Sequence, residues 1–149
     1  MEWRPDDRFL DDERQPGRSR VDGVLEKNDI SLRVNHVITS RDPRWDQARY
    51  DLRRENMPPG WDTWQLPFYL LGQVTFFFLT SSAPGAILPT HAHEHAQVRI
   101  VLSGGLHYND ATGKSGELKS GDWMYIPPTV AYSLTASLNP GGAVHLYMY

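Results

Sequence analysis

Through the second half of the chain, apolar residues come in short blocks or alternate with polar ones, and Gly, Pro and Asn interrupt them about every ten residues. Residues 73–80 (QVTFFFLT) read as a strand with Phe76 and Phe78 on one face and Thr75, Phe77 and Leu79 on the other. Two apolar faces predict a strand covered on both sides. Further strands are expected over 87–93, 97–102, 106–108, 115–118, 123–126, 131–136 and 143–149, with turns at 109–113, 120–122 and 139–142. Many short strands between turn residues predict an all-β sandwich or barrel.

The first 60 residues read differently. Residues 1 to about 20 are rich in Asp, Arg, Pro and Gly without periodicity, which predicts an arm or disordered tail. Its Trp3, Phe9 and Leu10 are suited to anchoring it on a neighbouring subunit. Ile30, Leu32 and Val34 alternate with Ser31, Arg33 and Asn35, predicting a strand towards Ile38. Asp42-Pro43 predicts a helix start, with Asp as cap and Pro in the first helical position. Trp45, Ala48 and Leu52 then recur at helical spacing, and the helix stops before Met57-Pro58-Pro59-Gly60. Trp61, Trp64, Phe68 and Tyr69 form an aromatic cluster in a loop-like stretch. The domain plan is an arm over 1–29, disordered or exchanged between subunits, and a single β domain over 30–149.

Composition narrows the function. A chain of 149 residues supports one domain with a sizeable core. The first 60 residues hold 25 of the 33 charged side chains, and beyond them only Arg99, Lys114 and Lys119 are basic, so the later part carries the core. A net charge of −3 gives no electrostatic case for nucleic acid or an anionic membrane. No apolar run reaches the roughly 18 residues of a membrane helix. The charged N-terminus lacks an apolar signal segment, so a cytoplasmic protein is expected. With no cysteine, any metal must be held by nitrogen and oxygen.

The candidate chemistry lies in residues 84–105, PGAILPTHAHEHAQVRIVLSGG. If residues 87–93 are extended, His91 and His93 project from one face about 7 Å apart. Two imidazoles so placed can converge on one metal at roughly 2.0–2.1 Å. A tight connection at 94–96 and a return strand would form a hairpin that brings Gln97 beside them. Arg99 shares the parity of Gln97 in a run otherwise lacking charge. It either points inward, needing a carboxylate or phosphate partner such as Glu94, Asp122 or a substrate, or turns outward at a bulge.

These residues carry a resemblance. Gly85, His91, His93, Gln97 and Gly104 keep the spacing of the first motif of the cupin family, with Gln97 where the family usually has Glu. Residues 121–132 resemble the second motif, keeping Gly121 and Pro127 but with Thr129 for the usual Gly and Tyr132 for the usual His. The match covers about half the chain, roughly residues 70–149. It implies a small antiparallel jelly-roll β-barrel, here with a short N-terminal helix and arm, that forms a homodimer by exchanging N-terminal strands. It also implies one divalent transition metal, with iron as first choice and zinc, nickel, manganese or copper as alternatives.

His91, His93 and Gln97 are the expected ligands, with Gln97 either coordinating through its amide oxygen or orienting a histidine. His107, His145 or Tyr132 is a candidate for the missing fourth ligand, each of the two histidines having the alternative reading of an ordinary core or surface residue. Tyr132 has three readings: a phenolate ligand, an acid/base group or a packed aromatic. Tyr132 and Arg99 are the catalytic candidates. His95 is placed at the cavity rim and His36 away from the site. The resemblance implies a metal-dependent enzyme on a small organic substrate, aromatic or of diketone or hydroxyketone type. Its reaction is dioxygenase-like, or alternatively a metal-assisted polyketide-type cyclisation or isomerisation. Because Gln97 and Tyr132 depart from the family pattern, a non-catalytic sensor or small-molecule-binding cupin is the alternative from another class.

Overall fold

The computed structural model describes residues 14–148, with side chains from residue 17 onward. Trp3, Phe9 and Leu10, and with them the predicted anchoring, lie outside the described residues. Two helices, α1 (Arg14–Lys27) and α2 (Arg44–Asp51), precede eight strands: β1 (Trp61–Leu70), β2 (Gln73–Ser82), β3 (Ile87–His91), β4 (Gln97–Asp110), β5 (Ser115–Lys119), β6 (Trp123–Ile126), β7 (Tyr132–Ala136) and β8 (Ala143–Met148). They form one curled antiparallel sheet in the order β1-β2-β8-β4-β7-β3, a cupin-type jelly roll. Strand β6 lies beside the first part of β4 and β5 beside the second.

The long strand β4 joins the two halves of the roll. Gln97, Arg99 and Val101 are buried in its first part and Leu106 in its second, so the inward parity changes from odd to even. A bulge between Val101 and Ser103, in register with His145 and Val144, supplies the extra residue. Gly104 follows at φ +72, where an added Cβ would collide with the Gly142 carbonyl oxygen. The sequence reading ended this strand near 103–105; the glycines there bend a continuous strand instead.

Two buried clusters flank the interior. One holds Trp61, Leu88, Val101, Leu106, Ile126, Tyr132, Leu134, Ala136 and Ala143. The other packs Val21, Leu25, Ile30, Ala48 and Leu52 against Phe76, Phe78 and Tyr147, seating both helices on the inner face of β2 and β8. Each such buried aliphatic side chain contributes about 1.5–3 kcal/mol by leaving water.

Several expectations for the first 70 residues need correction. Residues 14–27, expected to be arm, form α1: Gly17, Val21 and Leu25 recur every four residues and face the core, with Gly17 against the Phe76 ring. The strand expected from Ile30 to Ile38 is absent. Asp29 takes the left-handed conformation at φ 54, Asp29 N–H donates to Glu26 O and Ile30 N–H to Leu25 O, closing α1 with a Schellman cap. Ile30 is apolar because it seals that cap, while Val34 and Val37 stay exposed. The expected loop at 61–69 is strand β1, with Trp61, Thr63 and Gln65 inward and Phe68 stacked on Phe77 of β2 at 4.6 Å. The start of α2 keeps its predicted chemistry one step early: the Asp42 carboxylate accepts the Arg44 N–H at 3.0 Å, and Pro43 occupies the cap.

No helix among the described residues is long and apolar enough to cross a membrane.

Candidate functional site

The ends of β3, β4, β7 and β8 meet between the two clusters. The predicted hairpin does not form, because β3 pairs with β7 rather than with β4. Its register with β7 shifts between Leu88 and His91, so His91 lies opposite Tyr132. Without that extra residue, strand alternation would turn His91 away from the side on which Leu88 is buried. The His91 ring lies 4.6 Å from that of Tyr132 and 4.9 Å from that of His93, the two imidazoles nearly perpendicular. Beyond β3, the His93 carbonyl accepts the Thr129 N–H at 2.7 Å. Thr129 makes this bond at φ 64, a left-handed conformation costly for a β-branched residue.

Burial pushes both His91 and His93 down to about 4. The nearby Arg99 and Arg54 guanidiniums lower them further, while the Pro89 carbonyl acts the other way on His91. Both rings are therefore neutral near pH 7. His91 Nδ1–H donates to Pro89 O at 2.8 Å, which leaves the ring's lone pair on Nε2.

Behind them lies a buried polar network. Gln97 is 1 % exposed, and its Oε1 accepts from Tyr132 Oη–H at 3.0 Å and Arg99 Nη2 at 3.2 Å. Arg99, 2 % exposed, also donates through Nη1 to His145 Nδ1 at 2.7 Å and lies 4.0 Å above the Tyr147 ring. Because arginine only donates, His145 must be protonated on Nε2, which lies 3.3 Å from Ser82 Oγ. Burial, then the Arg99 charge, holds His145 well below the usual histidine range. Burial raises the Tyr132 phenol above its ordinary value.

These contacts sort the sequence candidates. His91 and His93 come together as expected. Gln97 connects to them through Tyr132, whose ring lies against His91, and its oxygen accepts from both Tyr132 and Arg99. Tyr132 is a buried hydrogen-bond donor, not a phenolate. His145 has both nitrogens engaged. The bulge in β4 turns His107 to the face opposite Leu106, where it pairs with Glu117 and Thr135. His95 and His36 are exposed. Arg99 points inward, yet the carboxylates named for it are elsewhere: Glu94 is exposed and Asp122 accepts the Lys119 N–H. Among the described residues no group of three His, Asp or Glu is placed to share a metal.

A small cavity of about 10 Å³ lies against this network, lined by His91, His93, Arg99, Arg54, Thr63 and Thr80 with Met57, Trp61, Leu88 and Tyr147. Sequence reasoning missed Arg54, Thr63 and Thr80. The two threonines leave a trace: polar residues at inward positions of apolar strands, opposite each other in register and hydrogen-bonded at 2.9 Å. Arg54 leaves none, because its place depends on the Arg54 N–H to Thr63 O bond across the barrel entrance.

The structure resembles that of KdgF from a Halomonas species, with a TM-score of 0.50 and 20% identity over 64% of this chain and 82% of that one. An RmlC-like cupin from Shewanella frigidimarina matches at a TM-score of 0.49 and 21% identity, over 64% of this chain and 90% of that one. Oxalate decarboxylase from Bacillus subtilis matches at a TM-score of 0.44 and 25% identity, over 48% of this chain and 20% of that one. No curated protein matches the chain. The cupin domain family model matches residues 78–145, from the middle of β2 to His145 of β8. Strand order and this match agree on a cupin domain over residues 78–145.

Proposed function

We propose that the chain is a metal-dependent cupin enzyme that acts on a small organic substrate at His91 and His93. The observation that carries this reading is the pair of adjacent, neutral imidazoles, one of them with its Nδ1–H anchored on a backbone carbonyl. Metal coordination requires that protonation state, and metal-binding histidines commonly carry that kind of anchor. His91 and His93 would hold a divalent ion through two neutral imidazoles, with water and substrate oxygens completing its coordination. Such an ion, when bound, would supply Lewis-acid polarisation of a substrate oxygen.

The chain's own residues do the rest. The Pro89 carbonyl and the Tyr132 ring orient His91, and the Thr129 N–H holds the turn that carries His93. Gln97 fixes the Tyr132 hydroxyl and the Arg99 guanidinium. Met57, Trp61 and Leu88 make the wall apolar and restrict water. Two neutral ligands leave a divalent ion its full charge, which favours an anionic or enolisable substrate. The reaction class proposed is dioxygenase-like, with metal-assisted cyclisation or isomerisation as its rival.

Metal analysis and titration test this. Wild-type protein should bind one equivalent of manganese or iron, and His91→Ala and His93→Ala should each lose it. No stoichiometric uptake, or uptake unchanged in both variants, would overturn the reading. It would favour a non-catalytic small-molecule-binding cupin, the alternative supported by the engaged Gln97 oxygen and Tyr132 hydroxyl. Oxygen consumption with diketones or hydroxyketones separates the dioxygenase-like reaction from the cyclase.

A further inference from the structure

We propose that the cavity behind His91 and His93 is a receptor for one small carboxylate, held by the Arg99 guanidinium. This names the substrate class of the site above and rests on that reading for what the ligand meets at the histidines. The anion contact itself needs no metal.

A guanidinium stays charged in any protein interior, and burying it without a negative partner is costly. Arg99 is buried, and its partners His145, Gln97, Tyr132 and the Tyr147 ring are all neutral. Its Nε has no hydrogen-bond partner. Among the described residues no carboxylate forms an ion pair with it. Neutral acceptors and an aromatic face keep the group in place but leave its charge uncompensated.

The surroundings are those of an anion site. The cavity wall carries two guanidiniums, Arg99 and the buried Arg54, and no acidic residue. Two buried donors of lining residues, Arg99 Nε and Trp61 Nε1, have no hydrogen-bond partner. Thr63 and Thr80 share one hydrogen bond between two hydroxyls, which leaves one hydroxyl proton for a ligand. Room for about one water-sized group admits the oxygen of a single carboxylate, which a planar guanidinium matches, and excludes a bulky phosphate ester or an aromatic ring.

Trp61 lines the cavity at 3 % exposure and reports on it. Full-length chain stripped of metal with chelator is titrated with sodium acetate, against sodium chloride and sodium phosphate at equal ionic strength, following tryptophan fluorescence and the unfolding midpoint. Acetate should give a saturable change and raise the midpoint, as a ligand of the native state must. Arg99→Met should abolish both responses. Because that variant risks misfolding, Gln97→Glu is the second: it supplies an internal carboxylate to Arg99 and should fold while weakening acetate at least tenfold. No saturable acetate response beyond chloride would overturn the proposal, as would an equal response to phosphate, or Gln97→Glu binding acetate like wild type. Failure of metal uptake with an intact acetate response would sink only the metal reading.

Discussion

Arg99 Nη1 donates to His145 Nδ1 at 2.7 Å, one buried side chain holding the tautomer of another. Replacing His145 by Leu removes the acceptor and leaves part of a buried cation unsolvated. The expected cost is about 2–4 kcal/mol, read as a fall in the urea midpoint with unchanged slope. Loss of less than about 1 kcal/mol would mean that water reaches Arg99 freely.

The depressed histidines predict acid sensitivity in the metal-free chain. His91 and His93 lie at about 4 in the native state against 6.5 in the unfolded one, and His145 lies well below 6.5. Between those values the unfolded chain binds protons that the native chain refuses, so stability falls as pH drops. The unfolding free energy should be level above pH 6.5 and decline steadily towards pH 4. His91→Asn with His93→Asn should flatten the decline, leaving the share due to His145. A wild-type profile already flat from 7 to 4 would contradict the burial of these rings.

Tyr132→Phe deletes the hydroxyl that donates to Gln97 and keeps the ring against His91. Arg99 still satisfies the Gln97 oxygen, so the expected cost is about 1 kcal/mol. Metal uptake should stay within a few-fold of wild type, whereas His91→Ala loses it. Equal loss in both variants would make Tyr132 a ligand.

Thr129 is held at φ 64, where glycine is at ease and a β-branched residue is strained. Thr129→Gly keeps the N–H that holds the His93 carbonyl. Relief of strain, less the added freedom of the unfolded chain, should leave a gain of about 1 kcal/mol, or roughly 2–4 °C in unfolding temperature. A destabilised variant would show that the threonine side chain contributes more than its conformation costs.

Gly104→Ala tests the bend in β4. At φ +72 the new methyl would run into the Gly142 carbonyl, a backbone group that cannot swing aside. The expected loss exceeds about 3 kcal/mol. Gly113→Ala, where nothing lies within reach of the added carbon, bears only the conformational part and should lose less.

Much was legible from residue order alone. Turn residues at regular intervals set the strand plan of residues 73–148, because turn conformations favour Gly, Pro and Asn whatever surrounds them. The nearness of His91 and His93 was expected from their spacing, although β3 ends at His91 and a turn rather than a strand face carries His93, and the inward direction of Arg99 was one of two readings left by its parity with Gln97. Three things required the tertiary structure. The expected strand at 30–38 became a helix cap because Ile30 found a buried partner in Leu25, a choice made by packing rather than by alternation. The bulges in β3 and β4 set which way His91 and His107 face, and a one-residue shift in pairing leaves no mark on local composition. The partners of Arg99, finally, come from β8 and from within β4, and the second guanidinium from before the barrel. Whether a buried charge meets a carboxylate or only neutral groups depends on strand neighbours far apart in the chain.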